Sequence, residues 1–73
     1  MNNLYVINNI LSDFTPGMAV ISAPSLERCR ELFIEKFSRK ANEFDSAIED
    51  NDYELIENVN RPEGIISYVY GGG

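Results

Sequence analysis

Between Leu26 and Ala41 the apolar side chains recur at steps of three and four: Leu26, Cys29, Phe33, Phe37 and Ala41, with Leu32 beside them. That spacing lines one face of an amphipathic helix, and a helix with one apolar stripe needs a surface to cover it. The other apolar segments of this 73-residue chain are strand-like runs, two before the stripe and two after it. Residues 4–11 (LYVINNIL) and 18–23 (MAVISA) precede it, and 53–59 (YELIENV) and 65–70 (IISYVY) follow. β-Branched and aromatic residues dominate these runs, as a half-buried pleated surface requires. The pattern predicts one α+β domain over residues 1–73 with the order β-β-α-(short α)-β-β. A four-stranded, largely antiparallel sheet with the long helix packed on one face buries the stripe economically.

The connections refine this expectation. Pro16-Gly17 suits the middle of a type II turn, so the first two strands form a hairpin. Ser25 is the expected helix cap, with Glu27 near the positive end of the helix dipole and Arg39 and Lys40 near the negative end. The stripe runs on through Phe44 and Ile48, but one helix over 25–49 would be about 37 Å long against strands of about 20–25 Å. A break near Asn42 and a short helix over 43–49 are therefore expected, ended by Asp50-Asn51-Asp52. Asn60-Arg61-Pro62-Glu63-Gly64 reads as a turn between the last two strands. Strict alternation puts Leu4, Val6 and Ile10 opposite Tyr5, Ile7 and Leu11, and Ile66, Tyr68 and Tyr70 opposite Ile65 and Val69. One helix covers one face, so the other either shows Tyr and aliphatic side chains or is closed by loop 12–17 and the short helix.

Composition narrows the chemistry. The chain has no His, one Cys and a net charge of −6. His-based general-base catalysis, an internal disulfide and an ordinary structural zinc site are excluded. Cys29 sits in the apolar stripe, which points to a structural thiol rather than a nucleophile. The N-terminus lacks the basic and apolar regions of a signal peptide, and no run reaches the length that crosses a bilayer, so a cytoplasmic protein is expected. The acidic balance disfavours direct nucleic-acid or anionic-membrane binding and favours basic partners.

The acids are concentrated. Residues 43–57 hold Glu43, Asp45, Glu49, Asp50, Asp52, Glu54 and Glu57, seven carboxylates without a Lys or Arg among them. Such a cluster serves as a solvated face, as a surface for a basic protein, or as a cation site. Asp50-Asn51-Asp52-Tyr53-Glu54 lacks the Gly and distal Glu of a calcium loop, so no metal or other cofactor is expected. Paired-carboxylate hydrolysis has no cleft to work in, and a non-enzymatic protein-interaction domain is the leading expectation. Glu43, Asp45, Glu49, Asp50, Asp52 and Glu54 would steer a partner with a basic, nucleic-acid-binding surface, and Tyr5, Tyr68 and Tyr70 would supply desolvated contact. In size and charge the chain is similar to the small acidic proteins with which mobile genetic elements disable host nucleases, anti-CRISPR inhibitors among them.

Two alternatives stand beside this. Gly71-Gly72-Gly73 follows the last strand directly and reads as a short flexible tail. With its small size and its opening hairpin followed by a helix, the chain resembles ubiquitin-like sulfur carriers and related β-grasp modifiers. That resemblance implies activation at the C-terminal glycine, with Gly72 and Gly73 as the functional residues. The second alternative is a homodimeric structural subunit that pairs an exposed edge or buries the second face of the sheet.

Overall fold

A computed structural model describes residues 2–11 and 17–71. The chain folds as an α+β domain whose strands are β1 (Asn2–Ile10), β2 (Gly17–Ala23), β3 (Tyr53–Val59) and β4 (Gly64–Val69). Helices α1 (Leu26–Lys36) and α2 (Ala41–Glu49) lie between β2 and β3. The sheet is antiparallel throughout with the order β3-β1-β2-β4, so the opening hairpin is its centre and the last two strands are its edges. Pro16 and the rest of the expected turn lie outside the described residues, and Gly17 already belongs to β2.

The helix starts where its cap is read and ends earlier than its stripe. The Ser25 side chain accepts a hydrogen bond from the Arg28 N–H at 3.2 Å, satisfying a donor that the first turn leaves open. At Phe37 the backbone leaves the helical region, and a single 3-10 turn over Ser38–Lys40 leads into α2. The break therefore falls at Phe37, not near Asn42, and α2 begins at Ala41 rather than 43. Bending here lets three rings converge: Phe33 lies 5.0 Å from Phe37 and 5.3 Å from Phe44, centroid to centroid. A straight helix would carry Phe44 past the end of the sheet. α2 ends as expected at Asp50-Asn51-Asp52. Asn51 takes a left-handed conformation, Asp52 N–H donates to the Ala47 carbonyl at 2.8 Å, and Asn51 N–H to that of Ile48 at 3.1 Å. Those two bonds form a Schellman cap, which uses the carbonyls that a helix end leaves unpaired.

Both helices sit on the same face of the sheet. They bury Tyr5, Ile7 and Ile10 of β1 and Ala19, Ile21 and Ala23 of β2 beneath Cys29, Phe33, Phe37, Phe44 and Ala47. Three irregularities correct the expected alternation. Between Asn8 and Ile10 the register with β2 shifts, and Asn9 adopts φ 53°. The extra residue swings Ile10 onto the helix face with Tyr5 and Ile7, where it is fully buried, and not beside Leu4 and Val6. A second shift, between Asn2 and Leu4 in the pairing with β3, is accompanied by Asn58 at φ 58°. The third lies in β4. Val20 faces Ser67 but Ile21 faces Ile65, so Ile65 and Tyr68 share the helix face although they are an odd step of three positions apart.

The segment after β3 is a crossover, not a tight turn. β3 and β4 are separated by three strand spacings, about 14 Å. From Val59 to Gly64 are five Cα steps, about 17 Å when extended, so the chain runs nearly straight along the end of the sheet. Pro62 suits that conformation, since its ring fixes φ and holds its predecessor extended. The crossover is tied down where it passes: Asn2 Nδ2 donates to the Arg61 carbonyl at 2.7 Å, and the Arg28 guanidinium binds the Glu63 carboxylate.

Candidate functional site

The acids of residues 43–57 divide into two sets. Arg30, on α1, holds Asp45, on α2, through two parallel bonds, Nε–Oδ1 at 2.7 Å and Nη2–Oδ2 at 3.0 Å. Lys40 Nζ lies 3.1 Å from Glu43 Oε2. Glu43 and Asp45 thus spend their charge within the helices and bracket the α1–α2 junction. The Arg30 guanidinium pulls the Asp45 carboxyl below its usual value of 3.8. A lowered folded-state value means that the pair contributes stability at neutral pH and loses it as the pH falls through that value. Asp45→Asn should therefore lower the thermal midpoint slightly at pH 7. The gap to wild type should close once the pH drops below the carboxylate range, which melting curves across the acid range would read.

The second set lies where α2 runs into β3. Glu49 and Asp50 close α2 and are exposed, and no basic side chain occupies its last turn. Carboxylates at a helix C-terminus oppose the macrodipole, so their placement gains the helix nothing. Asp52 is held in place: its Oδ2 accepts from Asn9 Nδ2 at 3.1 Å, and its carbonyl accepts from Asn8 N–H at 2.7 Å. Glu54 stands opposite Val6 on the face of the sheet away from the helices, and Glu57 is exposed farther along β3. Among the described residues none of these five carboxylates has an ion-pair partner.

Apolar side chains adjoin them. Leu55 is 45% and Ile56 47% exposed, flanked by Glu54 and Glu57. Register places Ile56 beside Leu4 on the open face, and Leu4, Val6, Met18 and Val20 form its half-buried middle, with Val69 on the β4 side. The sequence pattern anticipates an uncovered face of Tyr and aliphatic side chains but names only tyrosines as its contact residues, although the alternation of Leu4 with Val6 and of Glu54 with Ile56 signals one shared face. The expected tyrosines behave differently. Tyr5 is only 4% exposed, sealed beneath the helices with Tyr53 at 6.5 Å, so it cannot contact a partner. Tyr68 and Tyr70 are exposed but belong to the opposite edge, where they pack edge-on against Phe37 at 5.1 and 5.8 Å. The acids of β3 and the tyrosines beyond β2 do not form one surface; β1 and β2 stand between the two edges.

Chemistry of other kinds finds little to work with. Cys29 is fully buried, and burial pushes its thiol up to about 12, which keeps it protonated and unreactive. Among the described residues no three His, Cys, Asp or Glu side chains are grouped to hold a metal ion. Nor, among them, is any helix long and apolar enough to cross a membrane. Gly71 is buried and its N–H donates to the Leu11 carbonyl at 2.9 Å, so the expected tail does not begin there; Gly72 and Gly73 lie outside the described residues. Comparison with protein-family models, with curated proteins and with solved structures finds no match, so the α2–β3 acidic end is defined by its own geometry alone.

Proposed function

We propose that the chain is a non-enzymatic protein-interaction domain, an inhibitor or adaptor that occupies a basic, nucleic-acid-binding surface of a cytoplasmic protein. One observation carries the reading: the five uncompensated carboxylates from Glu49 to Glu57 adjoin exposed Ile56 and the aliphatic open face, with exposed Leu55 on the helix side of the same edge. Charge of one sign raises the rate of encounter, and the apolar neighbours supply area to desolvate once contact is made. Acids set along a helix end and a strand would occupy part of the track that phosphates otherwise fill. The proposal places this chain, by its size and charge, in the functional class of small acidic inhibitors of host nucleases carried by mobile elements, anti-CRISPR proteins included. The carrier alternative has less support, because Gly71 is buried and hydrogen-bonded to Leu11 rather than part of a free tail.

The test is capture of a partner from native extract by the wild-type chain and by Asp50→Lys with Glu54→Lys, which moves the net charge from −6 to −2 (two reversals of +2 each). Glu27→Lys, an exposed reversal on α1, is the control. The double variant should lose about tenfold in association rate at low salt while the control loses little, and added nucleic acid should displace the captured partner. Equal capture by all three chains, unaffected by salt or by nucleic acid, would contradict the proposal.

A further inference from the structure

The two edges of the sheet are built differently. β3 carries Glu54 and Glu57, and left-handed Asn58 distorts its end; charges and bulges of this kind discourage another strand from pairing. β4 is guarded only at its start, by the bulge at Ile66. From Ile65 to Gly71 there is neither a charge nor a proline, and Ile66, Tyr68, Val69 and Tyr70 are all exposed. We propose that β4 is the seam of a homodimer, pairing antiparallel with β4 of a second copy across a two-fold axis to make one continuous eight-stranded sheet.

Charge leaves β4, and not β3, as the edge at which a second copy can approach. The chain carries −6 in all, and its β3 flank repels its own kind. Around β4 the balance differs: Lys36, Arg39 and Lys40 stand against Glu35 and Glu43. Lys36 Nζ already lies 5.3 Å from the centre of the Tyr68 ring, and Tyr68 meets Tyr70 edge-on at 5.8 Å. Two β4 flanks therefore approach with nearly balanced charge, and an uncharged strand sets no like charges opposite each other. The extra residue at Ile66 limits the regular part of β4 to Ser67–Val69, with Tyr70 directly after it. The seam is accordingly short, and the tyrosine rings supply much of the area it buries. This inference does not depend on the basic partner. If both hold, the dimer displays an acidic end at each extremity of its sheet, an arrangement suited to bivalent binding.

Sedimentation equilibrium of the full chain, from micromolar to millimolar concentration, tests the seam together with amide hydrogen exchange. The expected result is a mass rising from 8.3 kDa to twice that value, with new protection confined to Ser67–Tyr70. Ser67→Lys and Val69→Lys, both at exposed positions, should each weaken association by about tenfold or more without changing the dilute-solution melting curve. A monomer at every concentration overturns the proposal. So does a dimer indifferent to both lysines, or one whose protection appears on β3, since either would place the contact elsewhere. Binding of a basic protein by a chain that stays monomeric would leave the functional proposal intact and remove only this one.

Discussion

Gly17→Ala is expected to destabilise the domain by about 3 kcal/mol or more, on the order of 15 °C in the thermal midpoint for a chain of this size. The reason is space rather than backbone conformation. A Cβ at Gly17 would lie 2.3 Å from the Val69 carbonyl oxygen, 2.5 Å from that of Ile10 and 2.7 Å from the Gly71 nitrogen. All three are backbone atoms, so no side chain can rotate away. They belong to the bulged end of β1, the end of β4 and the second residue beyond it, which converge where β2 begins. Leu11 adds to the tension there: it holds φ 57° with its side chain buried, a conformation that costs a non-glycine residue about 1–2 kcal/mol and that the Gly71–Leu11 bond helps to maintain. Thermal melts should show the loss, and hydrogen exchange should find the Gly71 amide opening first. A midpoint within a few degrees of wild type would mean that this corner is looser than described.

Phe33→Ala should cost about 3–5 kcal/mol. Phe33 is fully buried and is the ring that Phe37 and Phe44 both touch, so its removal opens a void at the α1–α2 junction over the sheet. A domain of 73 residues has roughly 4–11 kcal/mol of total stability, so the loss is a large share of the whole. Phe33→Leu retains most of the volume and should recover the greater part of the loss. Ile56→Ala is the comparison: a truncation of similar chemistry on the exposed side of β3 should stay within about 0.5 kcal/mol of wild type. Urea titrations of the three variants would rank them. Parity between Phe33→Ala and Ile56→Ala would deny Phe33 its central place.

How much of this could be read from the chain depends on the range of the interaction concerned. β3 was legible to the residue because Asp50-Asn51-Asp52 and Asn60-Arg61-Pro62 bracket an apolar run, and Ser25 was legible because a cap acts three residues away. The break at Phe37 was not, since the three-residue 3-10 turn leaves the apolar spacing from Phe33 to Phe44 looking helical. Parity failed wherever a bulge inserts a residue: it misplaced Ile10 and separated Ile65 from Tyr68. Asn9 was a local hint, as asparagine enters the left-handed region readily, whereas nothing in IISYVY marks Ile66. Strand order, and with it the crossover of residues 60–63, depends on pairings tens of residues apart that local pattern does not encode. The site divides in the same way. Seven acids without a base were visible as a run, but their partners were not: Arg30 finds Asp45 across fifteen residues, and only the fold leaves Glu49, Asp50, Asp52, Glu54 and Glu57 uncompensated.

The central claim is that these five carboxylates create a negative potential at one end of the domain while the Lys36–Lys40 end is close to neutral. Paramagnetic relaxation of amide protons by a cationic and by an anionic nitroxide cosolute reads that potential residue by residue, without any partner. The account predicts that the cationic probe's excess effect peaks over residues 49–57 and falls to its minimum over residues 36–40. A ratio that is uniform along the chain, or that peaks at Glu43 and Asp45 instead, would contradict it.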